Sequence, residues 1–142
     1  MAEKSLWSYL RKGMRGKWSH ATRHEDSVSI GVADVSYYHR GNSWVELKEV
    51  KHLPKRPSTG ISLGQWHNNG GAQRYFLTKR MGWLFIRVNN PVRTYLLFEW
   101  TNLPPWEKEK RWTWDEMKSN AYYIWTNRID FETLDEFLGD PE

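Results

Sequence analysis

Two strand-length apolar runs, Trp83-Leu84-Phe85-Ile86-Arg87-Val88 and Thr94-Tyr95-Leu96-Leu97-Phe98-Glu99, are separated by Asn89-Asn90-Pro91. β-branched and aromatic residues on either side of such turn chemistry predict a hairpin of two apolar strands. A second pair of runs, Asp34 to Tyr38 and Trp44 to Val50, flanks Arg40-Gly41-Asn42-Ser43 and predicts another hairpin. The stretch from Trp18 to Asp26 is irregular and polar, with room for one short strand.

Helical signals surround these strands. Leu6, Trp7, Leu10 and Met14 recur at helical spacing from Glu3 onward, and Gly13 and Gly16 end that pattern. Ser62-Leu63-Gly64-Gln65 has the form of a capping box, predicting a helix that Gly70-Gly71 interrupts before it resumes to Met81, with Gly82 as its C-terminal cap. Thr113-Trp114-Asp115-Glu116 predicts a further helix to about Thr126, and a short one follows near Phe131 to Leu138. The expected fold is therefore α/β or α+β: one domain over residues 1–142, a mixed sheet flanked by helices, and a helical extension over about 104–142.

Composition narrows the chemistry. The chain has no Cys, which excludes disulfides, thiolate metal sites and a cysteine nucleophile, and fits a reducing cytoplasm. The first residues lack the apolar core of a signal peptide, and no run of about 18 apolar residues is present for a membrane span. A soluble protein of the cytoplasm is expected, without membrane partners. Residues 129–142 carry six acids and no Lys or Arg, so residues 1–128 hold all 21 basic residues against 11 acids, a net of +10. That excess suits a phosphate-binding body, with a merely solubilising surface as the alternative. Ten Trp, seven Tyr and five Phe supply rings for the core, and some could stack on unpaired bases.

Hydrolysis of a phosphodiester requires neutralising charge on the phosphate and activating water, which Mg²⁺ held by carboxylates and a main-chain carbonyl can do. On a strand, Glu46 and Lys48 share a face while Leu47 points to the other layer and keeps its carbonyl available. The predicted hairpin brings Asp34 against the same edge, so Asp34 and Glu46 could share the metal. Lys48 would orient or deprotonate the attacking water, or stabilise charge on the phosphate. Glu116-Met117-Lys118 has the same spelling but falls in a predicted helix, where i and i+2 diverge. The alternative for Glu46 and Lys48 is a salt-bridge ladder on a solvated sheet.

Gly31-Val32-Ala33-Asp34, Trp44-Val45-Glu46-Leu47-Lys48, a helix with Gln65, and Gly82 to Val88 together resemble the PD-(D/E)XK nuclease superfamily, in particular its small phage-type, VRR-Nuc-like and Holliday-junction-resolvase-like members. The resemblance covers about residues 3–99. It implies a restriction-endonuclease-like αβββαβ core and a DNA endonuclease using Mg²⁺, with Mn²⁺ able to substitute. Asp34 and Glu46 would be the metal ligands and Lys48 the catalytic lysine. Ala33 stands where the family often has Pro, a residue that shapes the backbone and binds no metal.

Selection for branched or flapped DNA is a secondary expectation, drawn from the aromatic content together with the resemblance, and a resolvase would act as a homodimer. Glu3, with Glu25 as competitor, matches the acid such proteins add from the first helix; a solvated first-turn acid is the plain alternative. Gln65 matches the family's helix glutamine, although it also completes the capping box. Lys51, Lys55 and Arg56 are candidate DNA contacts, equally readable as a solvated loop, and His67 is a candidate for phosphate or metal, although a lone His is more often an ordinary surface residue. His20 and His24 have a zinc-like spacing only on a helix, which this stretch does not resemble. The rival functions are a binding module that has lost catalysis, and a phage accessory protein whose acidic tail binds a partner or covers the basic face.

Overall fold

A computed structural model describes the backbone of residues 2–15, 20–23, 35–38 and 42–138, and the side chains of 6–15 and 44–138. In chain order the elements are α1 (Ala2–Gly13), β1 (His20–Arg23), β2 (Val35–Tyr38), β3 (Asn42–Val50), α2 (Ala72–Arg80), β4 (Trp83–Val88), β5 (Thr94–Glu99), α3 (Trp114–Asn120), β6 (Tyr123–Thr126) and α4 (Phe131–Leu138). Short 3₁₀ turns at Gly64–His67, Asn69–Gly71 and Lys108–Lys110 complete the set.

The six strands found among the described residues form one sheet in sequence order. Of these, only β3 and β4 run parallel, from Val45↔Trp83 to Val50↔Val88, because residues 51–82 cross over between them; the other neighbours are antiparallel. The molecule is thus α+β with a mixed open sheet. Both expected hairpins are present, Tyr38 pairing with Asn42 and Val88 with Thr94.

Side-chain alternation splits the core into two layers. Val45, Leu47, Phe85 and Leu97 face one side and pack against Leu6 and Leu10 of α1 and Leu134 and Leu138 of α4. Val50, Leu84, Ile86 and Leu96 face the other, against Trp66, Leu77 of α2 and Met117 of α3. The described part of the acidic tail therefore packs on the α1 side of the sheet. On α1, Leu6, Leu10 and Met14 of the expected stripe are buried and Trp7 is partly buried, and a Cβ on Gly13 would collide with the ring of Phe131, so this glycine is also required for the α1–α4 contact.

Three expectations are corrected. The helix from Thr113 does form its capping box, Glu116 N donating to Thr113 Oγ1 (3.3 Å) and Thr113 N to Glu116 Oε1 (2.9 Å), but it ends at Asn120. Tyr123-Ile124-Trp125-Thr126 is instead β6, pairing with β5 from Leu97↔Tyr123 to Thr94↔Thr126. Its β-branched and aromatic residues suit a strand, and it covers what would otherwise be the open edge of β5. The extension over 104–142 thus contributes a strand as well as helices.

At Ser62 no capping box forms: Ser62 Oγ accepts from Gly64 N (3.4 Å), and the 3₁₀ turn Gly64–His67 begins without a side-chain cap. Gly70 and Gly71 both take left-handed backbone angles, so α2 starts only at Ala72. Gly82 is not the left-handed residue ending α2. Met81 takes that conformation (φ 51°), while a Cβ on Gly82 would lie 3.0 Å from the Trp44 carbonyl oxygen and 2.7 Å from Leu77 Cδ2. The glycine at 82 serves the close passage over β3. No helix among the described residues is long and apolar enough to cross a membrane.

Candidate functional site

β3 carries charged side chains on both faces. Trp44, Glu46, Lys48 and Val50 alternate toward the α2 layer, with Leu84 and Ile86 beside Glu46 and Lys48 in the parallel register. Lys48 Nζ lies 3.2 Å from Glu46 Oε2, and the two side chains are 8% and 2% exposed. This pair is not a ladder on a solvated surface. Holding two charges out of water is unfavourable unless they compensate each other and find further polar partners, so residues that persist in this arrangement do so against a desolvation penalty. Leu47, fully buried, points into the opposite layer as its place on the strand requires.

Asp34 and Glu25 lie outside the described residues, as does the side chain of Glu3, whose backbone is in the first turn of α1. Val35, the residue after Asp34, pairs with Val45, the residue before Glu46. His20 is in β1, a strand, and His24 lies outside the described residues. Among the described residues no three His, Asp or Glu side chains form a metal-binding group.

Gln65 sits exposed on the 3₁₀ turn Gly64–His67 rather than in α2. His67 differs from the surface position expected of it: the residue is 5% exposed, and its Nδ1 lies 3.0 Å from the Trp106 carbonyl oxygen. Its Nε2 is buried and has no hydrogen-bond partner among the described residues. Burial is the main cause lowering its pKa from the usual 6.5; the Trp106 carbonyl opposes this, and the cations Arg111 and Lys48 reinforce it.

A depressed histidine pKa makes the folded chain bind fewer protons than the unfolded one, so stability falls as pH drops through 6.5 toward the folded value. Chemical denaturation at pH 7.5 and 5.5 checks this. The loss on acidification should shrink in His67→Gln, and an equal loss in both proteins would contradict it.

Lys51, Lys55 and Arg56 are exposed on the segment leaving β3. That segment is tied down at both ends, by Asn90 Nδ2 to the Lys51 carbonyl (3.0 Å) and by Ile61 N to the Trp112 carbonyl (2.8 Å). Lys55 and Arg56 border a shallow cleft with Trp114 and Asp115.

Two further features lie outside the sequence motifs. Glu49, on the α1 face of β3, binds Arg87 of β4, with Nε donating to Oε2 at 2.6 Å and the side chains 3% and 5% exposed. The two are register partners on adjacent strands, a pairing invisible until the crossover is known. The second is a charge pattern: residues 50–98 contain eight Lys or Arg and no Asp or Glu, which draws attention to Arg74, Lys79 and Arg80 on α2. No family model matches the chain, and no curated protein matches it significantly.

Proposed function

We propose that the protein is a metal-dependent DNA endonuclease of the PD-(D/E)XK type, with Asp34 and Glu46 as metal ligands and Lys48 beside them. The observation that carries this reading is the Glu46–Lys48 pair: an acid and an ammonium 3.2 Å apart, buried, on one face of a strand flanked by a parallel neighbour. The order α1-β1-β2-β3-α2-β4 supports a restriction-endonuclease-like core. The oxygen donors this reading assigns, the Glu46 carboxylate and the Leu47 carbonyl with Asp34 as the third, are of the kind that suits a hard divalent cation such as Mg²⁺ or Mn²⁺. When bound, that ion would polarise the phosphate and lower the pKa of water.

The residues of the chain have separable tasks in this scheme. Glu46 supplies negative charge where a cation must sit, and its ion pair fixes the Lys48 ammonium at the same point. Lys48 then offers a positive charge and hydrogen-bond donors to the phosphate or the attacking water. The exposed Lys51, Lys55 and Arg56 hold the DNA backbone beyond the end of β3.

The same burial also suits a purely structural ion pair in a nucleic-acid-binding protein without activity. Supercoiled plasmid incubated with the protein in Mg²⁺ and in EDTA separates the two: nicking in Mg²⁺ alone supports the nuclease, and binding without nicking supports the module. A homodimer in sedimentation would fit action on four-way junctions, where two strands are cut.

A further inference from the structure

The acid-free segment 50–98 places its cations unequally. Arg87 is held by Glu49, and Lys51, Lys55 and Arg56 line the loop after β3, but Arg74, Lys79 and Arg80 are gathered on the nine residues of α2. Leu77 anchors this helix in the core, and its outer face carries Tyr75, 65% exposed. Lys79 Nζ stands 5.6 Å from the Tyr75 ring centroid, and the Arg80 guanidinium 4.6 Å from that of Phe76.

Just before the helix, Gly71 passes beneath Trp106, so closely that a Cβ would lie 2.7 Å from the indole. Trp106 remains 38% exposed, and its carbonyl is fixed by His67. Tyr75 and Trp106 border one cleft together with Gly70, Gly71, Arg74 and Thr78. Tyr75 also borders the adjoining depression with Phe76, Lys79 and Arg80. Arg74 is braced by Nε donating to the Pro104 carbonyl (3.0 Å). The acid whose charge Arg74 meets, Glu107, is itself engaged by Lys110 (3.4 Å).

From this arrangement we infer that the outer face of α2 and the Gly70-Gly71 turn form a platform for unpaired nucleotides, with a base against Tyr75 and Trp106 and phosphates on Arg74, Lys79 and Arg80. Core packing does not require Tyr75 to stand open to water. Its surroundings are cationic, which matches a polyanion, and its ring offers a flat face. A duplex keeps its base faces stacked internally and cannot use such a ring, whereas a single strand or a flap can. The platform lies on the same side of the sheet as Glu46 and Lys48, since α2 packs on that layer through Leu77. It names the substrate class of the proposed nuclease and in that respect rests on that reading.

The test measures fluorescence anisotropy of labelled oligo-dT, and of a duplex of equal length, with the full chain in EDTA. The wild type should bind both, and Tyr75→Ala should weaken oligo-dT binding about tenfold while leaving duplex binding within about twofold, as loss of one stacking contact predicts. Lys79→Gln with Arg80→Gln should weaken both and lower the salt slope for oligo-dT by about 1.4. Because Tyr75 is exposed, its replacement should leave the melting temperature unchanged. Absence of oligo-dT binding by the wild type, unchanged affinity of Tyr75→Ala, or an equal loss on both substrates would overturn the platform. These readings need no cleavage, so a protein that binds in this way yet never nicks DNA in Mg²⁺ refutes the nuclease and leaves the platform standing.

Discussion

Lys48→Gln is expected to lower Mg²⁺-dependent plasmid nicking by about 10²–10⁴-fold, the range associated with loss of a positioned proton-transfer group. Glutamine keeps a hydrogen-bond donor for Glu46 Oε2, 3.2 Å from the present ammonium, and so limits damage to the buried pair. Lys48→Arg then separates the two roles open to this residue. Arginine keeps the charge but does not give up its proton, so partial activity would assign Lys48 to charge stabilisation, and activity as low as in Lys48→Gln would assign it to proton transfer. Nicking by Lys48→Gln at the wild-type rate, with the melting temperature unchanged, would remove Lys48 from the chemistry.

The largest effect on stability is expected on the opposite face of the sheet. Arg87→Ala leaves the Glu49 carboxylate, 3% exposed, without its guanidinium, and should destabilise the fold by about 3–5 kcal/mol. For a domain of this size that lowers the melting temperature by roughly 10–17 °C. Replacing both partners by Met should recover most of the loss, because no uncompensated charge is then buried. Urea denaturation of the single and double variants measures both terms. A loss below about 1 kcal/mol in Arg87→Ala would mean that the pair behaves like one on the surface.

The contrast between these two pairs shows what local sequence carries. Glu46 and Lys48 are two residues apart, so a strand assignment alone puts them on one face. Glu49 and Arg87 are brought together by a parallel crossover, and the residues between them do not encode its register. The same division runs through the fold. The stripe of α1, the β4–β5 hairpin and the Thr113 capping box rest on spacings of a few residues and were legible. Strand β6 was not, because a capping box precedes it and only the edge of β5 makes it a strand. His67 could not be placed from sequence for a similar reason: its Nδ1 partner, Trp106, is 39 residues away. Of the expected catalytic trio, Glu46 and Lys48 stand as the strand pattern required, and Asp34 lies outside the described residues.

The proposal that Asp34 and Glu46 hold a divalent cation is reached most directly by calorimetric titration of Mn²⁺ into the wild type, Asp34→Asn and Glu46→Gln. A metal site in the wild type that is lost or greatly weakened in each single variant is the predicted result. Mn²⁺ binding that persists undiminished in both variants, or no binding to the wild type at all, would contradict it.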